Sequence, residues 1–355
     1  MIGERTSLHW VAKKKIELKK TKVPKINNYE ILLRVESCAI CGSDLKIYHH
    51  GNTRVKTGQI VGHEIAGQVV KIGSNIKDYR VGDRISIGAD TSCGKKTCKY
   101  CFNGKENCCD KNYAIGHQFE GGFTQYMKIN RLVSKYGPIA KFSKKISYDE
   151  ASLAEPLACC INGFEKVNFK PNGTLLILGA GPIGFLLAML GKLYKSRKII
   201  LADFSLQRLI FAKKNIKRIN IINLKKDNLF KKVKKITRNN FCDYIFTANN
   251  SIEAQKSAIR LVGKNGKINF FGGLPHNTKK DILVDANLIH YKEVAITGSH
   301  GSTALQHKKA LSLISQRKIN VRSLITHKYK LTDAKLAYSM AMSGNAMKII
   351  IKPNV

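Results

Sequence analysis

The stretch LLILGAGPIGFLLA, Leu175 to Ala188, decides the fold. An apolar run stops at Gly179-Ala180-Gly181-Pro182 and resumes as an apolar run of helical character. Glycine and proline together break a continuous helix, so the segment reads as strand, tight turn and helix. That reading also disposes of a membrane span, although Pro171 to Gly191 carries no charge and is long enough to cross a bilayer. Gly179, Gly181 and Gly184 form G-x-G-x-x-G in the setting the pattern requires, directly after a strand and directly before a helix. The glycines permit a tight turn and close approach, and the helix N-terminus, with Pro182 and Ile183, meets a pyrophosphate. A second strand, KIILAD, ends in Asp203, 19 residues after Gly184. A carboxylate there accepts hydrogen bonds from the ribose hydroxyls of NAD and repels the extra phosphate of NADP, a preference that Arg208 softens.

Working outward, the text from Leu175 alternates strand-like and helix-like pieces: GFLLAMLGKLYK, KIILADF, SLQRLIFAKKN, DYIFTAN, KINFFGG. Strands spaced by helices predict a parallel sheet wound by right-handed crossovers. Up to about Tyr136 the chain is instead short strand-like runs between glycine-rich turns, which describes a mainly β domain. The fold class is therefore α/β, with domains expected at 1–150, 151–295 and a final segment 296–355. ASLAEPLACCINGF bridges the first two as an apolar helix.

With 355 residues, 43% hydrophobic and 24% charged, the chain is long enough for two cores and too apolar for wholesale disorder. Its 62 basic and 24 acidic residues leave a net charge of +38. A nucleic-acid or anionic-surface binder is the rival reading. The 49 lysines are spread along the whole length against 13 arginines, which favours a solvated surface and predicts no specific nucleic acid and no membrane as partners. The opening MIGERTSLHWVAKKK has no apolar core of signal-peptide length, so a cytoplasmic protein is expected. Ten cysteines in such a chain point to metal or catalysis before disulfides.

Two cysteine-bearing stretches carry that chemistry. In SCAICGSDLKIYHHG, Cys41 sits at a strand-to-loop transition, and GHEIAGQVVKIG follows with His63 and Glu64. A thiolate, an imidazole and a carboxylate match a catalytic zinc, whose three protein ligands leave one position open. In CGKKTCKYCFNGKENCC, Cys93, Cys98, Cys101 and Cys109 have spacings of four, two and seven intervening residues, as a closed structural zinc site would need. Cys108 is expected to be a spectator beside Cys109. Cys38, Cys159, Cys160 and Cys242 lie in apolar runs and read as core.

Together these residues resemble the zinc-dependent medium-chain dehydrogenase family of alcohol, sorbitol and threonine dehydrogenases. GHEIAGQVVKIGSNI fits its zinc signature through Gly62, His63, Glu64, Gly67, Gly73 and Ile76. The resemblance implies a GroES-like mainly β catalytic domain, a Rossmann doubly wound parallel-sheet domain, and a C-terminal segment returning to the first. It implies Cys41 and His63 as zinc ligands, Glu64 as a carboxylate that ligates or approaches the metal, and Ser43 as the start of a proton relay. Glu155 in AEPLACC resembles the glutamate of the sorbitol and threonine branch, beside the zinc. Gly272 and Gly273 end the strand that passes the nicotinamide, and His300 either touches substrate or cofactor or caps its loop. Two departures stand out: Lys46 replaces a relay histidine, with His49 and His50 just beyond, and Cys93 to Cys98 is two residues longer than usual. The expected activity is hydride transfer from a secondary alcohol, a polyol such as sorbitol or L-iditol, to NAD, with two zinc ions per chain and a homo-oligomeric state, dimer or tetramer. Threonine, a cyclitol or a polyol phosphate are the alternative substrates.

Overall fold

Thr174 to Leu178 is buried at every position, and so apolar a strand is stable only with cover on both faces. In the computed structural model, which describes residues 3–275 and 280–355, it lies inside a six-stranded parallel sheet. The order across that sheet is Asn220–Asn223, Lys198–Asp203, Thr174–Leu178, Cys242–Thr247, Val262–Phe270, Ala295–Gly298. This is the doubly wound Rossmann arrangement, in which the first and fourth strands lie side by side and their crossovers run opposite ways. In sheets of this strand order the crevice at the carboxyl ends of those two strands is the usual place for a ligand. Ile200, Ile245 and Ile268 from neighbouring strands anchor its core.

The mainly β part is built around Ile31–Ala39, which pairs with Glu64–Ile72 on one side and with Lys348–Lys352 and Tyr126–Ile129 on the other. Arg84–Ile87, Ile139–Lys141 and Ile325–Lys330 complete this seven-stranded sheet, and a three-stranded sheet of Glu4–Ala12, Lys15–Lys22 and Gln59–Ile60 accompanies it. Leu33, Val35, Ile65 and Ile85 are fully buried among them. The closing strand Lys348–Lys352 enters the sheet beside Ile31–Ala39, so the end of the chain returns to its beginning.

Contacts divide the chain into one unit of residues up to Ala158 with Gly301–Val355, and a second unit, Cys159–His300. The first seam falls inside the helix Ala154–Lys166, past the boundary at 150 that composition suggested, because the apolar run of that helix supplies residues to both units. The bridging segment is two helices, Tyr148–Ser152 and Ala154–Lys166, with Ser147 capping the first through Glu150.

Candidate active site

Cys41 ends up as a helix N-cap where the sequence suggested a loop. The carboxylate of Asp44 accepts the Cys41 backbone N–H at 2.8 Å, closing a capping box on Gly42–His50. That carboxylate is buried, and its other oxygen stands 3.5 Å from His63 Nδ1. A carboxylate on one ring nitrogen fixes the imidazole and leaves the other, Nε2, for a metal. Ser43 Oγ lies 3.3 Å from that Nε2. Burial opposes a charge on His63, but Asp44 and then Cys41 outweigh it and hold its pKa well above the ordinary value.

Ligand atoms of Cys41, His63 and Glu64 all lie within 4.8 Å of one another. A thiolate, an imidazole and a carboxylate converging in a buried place suit zinc. Glu64 is fully buried, and both its oxygens accept from the ammonium of Lys348, a residue the sequence reading did not single out. Burial pushes the Glu64 carboxyl up, a rise the Lys348 contact offsets only in part; burial also works against the Lys348 charge, but Glu64 outweighs it and leaves the amine above its ordinary value. Glu155, at the start of its helix, is buried outside the group of three. Burial pushes its pKa up to about 7, with Glu64 and Asp90 adding to the rise and His63 opposing it. His117 was also missed: its ring centre is 6.1 Å from that of His63, and burial lowers its pKa to about 4. His49 is turned to the sulfur of Met342, 3.0 Å away, and His50 is exposed.

The cysteine lobe assembles from a loop, the one-turn helix Lys99–Phe102 and a 3-10 turn, Glu106–Cys108. Sγ of Cys93 is 3.8 Å from that of Cys101, and Cys98 is 3.8 Å from Cys109. Four sulfurs placed tetrahedrally about 2.3 Å from a zinc ion are separated by about 3.8 Å, so the lobe fits zinc and no disulfide. The backbone N–H of Cys101 lowers the pKa of Cys98 to about 7, toward the thiolate a metal requires. Cys108 points outward and is exposed. Cys38, Cys160 and Cys242 are core, whereas Cys159 is only half-buried.

In the second unit, Gly179 takes φ +114°, and a Cβ on Gly184 would overlap the Gly179 carbonyl. The turn thus needs both glycines. Gly181 caps the helix Pro182–Leu193, with Pro182 in its first turn. A cavity of about 480 Å³ opens beside it, lined by Gly179, Asp203, Phe204, Leu224, Asp227 and Asn249 among others. Its apolar walls and acidic end suit an adenosine. Asp203 accepts the backbone N–H of Ala180 and of Ser205, at 2.6 and 2.7 Å. Arg208 lies close to Gly181, 3.7 Å from the position of a Cβ there. Gly272 donates to the Thr247 carbonyl where Asn249 leaves no room for a side chain, while nothing crowds Gly273. Ser299 donates to Asn269 Oδ1 at 2.8 Å, and the His300 carbonyl accepts from Asn162.

Two family models match this chain: the alcohol dehydrogenase GroES-like domain over residues 27–135, and zinc-binding dehydrogenase over 182–316. The sorbitol dehydrogenase of Bacillus subtilis (strain 168) is 28% identical over 347 residues, covering 96% of this chain and 95% of that protein. D-arabitol-phosphate dehydrogenase of Enterococcus avium is 30% identical over 337 residues, covering 94% and 92%. A solved structure from Sinorhizobium meliloti 1021, described as a zinc-binding dehydrogenase bound to NADP, superposes with a TM-score of 0.89 at 25% identity and 99% coverage of both chains.

Proposed function

The chain belongs to the zinc-dependent medium-chain dehydrogenase family, and from that premise we propose that it oxidises a secondary alcohol of a small polyol, passing the hydride to NAD. The observation that carries this reading is the convergence of Cys41, His63 and Glu64, with Glu155 buried nearby. When bound, zinc lowers the pKa of a substrate hydroxyl as a Lewis acid and the nicotinamide takes the hydride. Asp44 orients the His63 ring. The hydroxyl proton would leave by one of two routes: through Ser43, beside His63 Nε2, which would release its own proton as it accepts one, or through water to the carboxylate of Glu155, whose pKa burial raises to about 7. The Gly179–Gly184 turn holds the pyrophosphate against a helix N-terminus, and Asp203 reads the adenosine ribose.

The relative named for sorbitol supports the polyol, and the polar, carboxylate-rich site agrees with it. A phosphorylated polyol is the second reading, favoured by the Enterococcus avium relative named for D-arabitol phosphate. Exposed lysines occur in both units, on the strand Lys15–Lys22 and on the helix Leu229–Thr237, which supports a solvated surface over a nucleic-acid face. Among the described residues no helix is long and apolar enough to cross a membrane. The test is a screen of polyols, polyol phosphates, cyclitols and threonine with NAD and with NADP, read by absorbance of the reduced cofactor. Reduction by none of the polyols or their phosphates sinks the proposal.

A further inference from the structure

The strand Ile139–Lys141, the helix Ala304–Ser315 and the turn at Asp78 and Tyr79 line a cavity of about 750 Å³, larger than the one beside the glycine turn. It lies wholly within the first unit, and no residue of the metal or cofactor sites lines it. Lys135, Lys141 and Lys308 stand in its wall against one carboxylate among the described residues, that of Asp78. Lys141 is taken up by Asp83, 2.9 Å away, whereas among the described residues neither Lys135 nor Lys308 is ion-paired. We infer that this cavity binds a small, hydroxyl-rich phosphate monoester, a sugar or polyol phosphate, at a site separate from the one where hydride is transferred. The inference does not depend on the dehydrogenase reading.

Small-molecule cavities run from about 300 to 1,000 Å³, and two ammoniums without an acidic partner attract a phosphate as point charges. Ser143 Oγ accepts the Lys145 backbone N–H at 3.3 Å, and Ser312 Oγ accepts Gln316 Nε2 at 2.9 Å, so both hydroxyls keep their own protons to donate. Burial, then Asp78 and Asp83, pushes the pKa of half-buried Tyr79 up to about 12, so its hydroxyl stays protonated and donates as well. The wall therefore offers ammonium and hydroxyl donors, as phosphate oxygens require. Asp78 accepts from the hydroxyls of a ligand and opposes a second phosphate. Buried Phe142 and Leu311 form the floor. The plain alternative is that these lysines are solvated like the others of a chain with a net charge of +38. It accounts for their exposure, but not for hydroxyl donors gathered round the same hollow from three separate stretches of chain.

The test is titration calorimetry of the full chain with glucose 6-phosphate and with glucose. Wild type should bind glucose 6-phosphate at millimolar concentration or below, and glucose at least tenfold more weakly. Lys135→Met with Lys308→Met should weaken glucose 6-phosphate at least tenfold. Ser312→Phe, which fills space without changing charge, should do the same; all three positions are exposed, so folding is not at stake. Lys231→Met with Lys234→Met removes equal charge from the exposed face of the helix Leu229–Thr237, in the second unit, and should stay within threefold of wild type. Equal weakening in that control reduces the effect to net charge and overturns the inference. Wild type that binds no glucose 6-phosphate, or binds glucose as tightly, overturns it too. So does binding that survives both cavity variants, which puts the phosphate elsewhere, the active site included. In each of these cases the dehydrogenase reading stands or falls on its own substrate screen.

Discussion

Asp203 Oδ2 accepts the backbone N–H of Ala180, the middle residue of Gly179-Ala180-Gly181, at 2.6 Å. The residue proposed to read the ribose is thus also a tie between the end of the second strand and the glycine turn after the first. Asp203→Ala removes that bond and the one from Ser205, each worth about 1 kcal/mol, together with the charge. The expected result is at least tenfold lower kcat/KM for NAD, a gain for NADP, and a small loss of stability. Asp203→Asn keeps the size and one acceptor, so it should shift cofactor preference with less loss of stability. A wild type that already prefers NADP in kcat/KM would show that Asp203 does not set the choice.

The cysteine lobe makes a prediction about metal content. Purified protein should carry two zinc ions, and Cys98→Ser should carry one, because the 3.8 Å sulfur separations place Cys98 in a closed four-sulfur set. Cys108→Ser should keep both, since its side chain is exposed outside that set. Equal zinc content in wild type and Cys98→Ser rules out the structural site.

Much of this was legible in the sequence for a physical reason: the glycine turn and the cysteine lobe are local, so spacing alone specifies their geometry. Asp44 was within reach of the same reasoning, since a carboxylate three residues after Cys41 is the pattern of a capping box. Lys348 was not. As text it is a lysine ahead of an apolar strand, and its burial depends on Glu64, 284 residues earlier in the chain, which only the pairing of the closing strand brings near. His117 escaped likewise, because a lone histidine in a loop carries no signal until the loop is folded against His63.

Glu155 separates three roles in one variant. If it moves protons, Glu155→Gln keeps zinc and cofactor binding but lowers kcat by about tenfold to a hundredfold, because an amide of the same size cannot take a proton. If it is a permanent ligand, zinc is lost at chelator concentrations that leave wild type loaded. If it only favours the start of its helix, both values hold and stability falls by about 0.3 to 1 kcal/mol. Burial that raises its pKa to about 7 favours the first outcome. Unchanged zinc content and unchanged kcat would remove Glu155 from the site.

His307 provides a test of folding that is independent of any metal. It lies on the helix Ala304–Ser315, fully buried, with Nε2 3.1 Å from Ser86 Oγ on the strand Arg84–Ile87. Burial lowers its pKa from 6.5 to about 4, and the contact with Ser86 recovers only part of that. Above pH 6.5 the imidazole is neutral in both the folded and the unfolded chain, so it adds no pH dependence. As pH falls below 6.5 the unfolded chain takes up a proton that the folded chain refuses until about pH 4, and stability drops across that window. A gap of about 2.5 pKa units corresponds to about 3 kcal/mol lost by pH 4. Urea unfolding of wild type and His307→Gln at pH 7 and at pH 4 checks this. The variant begins less stable at pH 7, since it disturbs a packed site, but it should lose about 3 kcal/mol less on acidification. Parallel losses in the two proteins would mean that His307 is not held neutral by the fold.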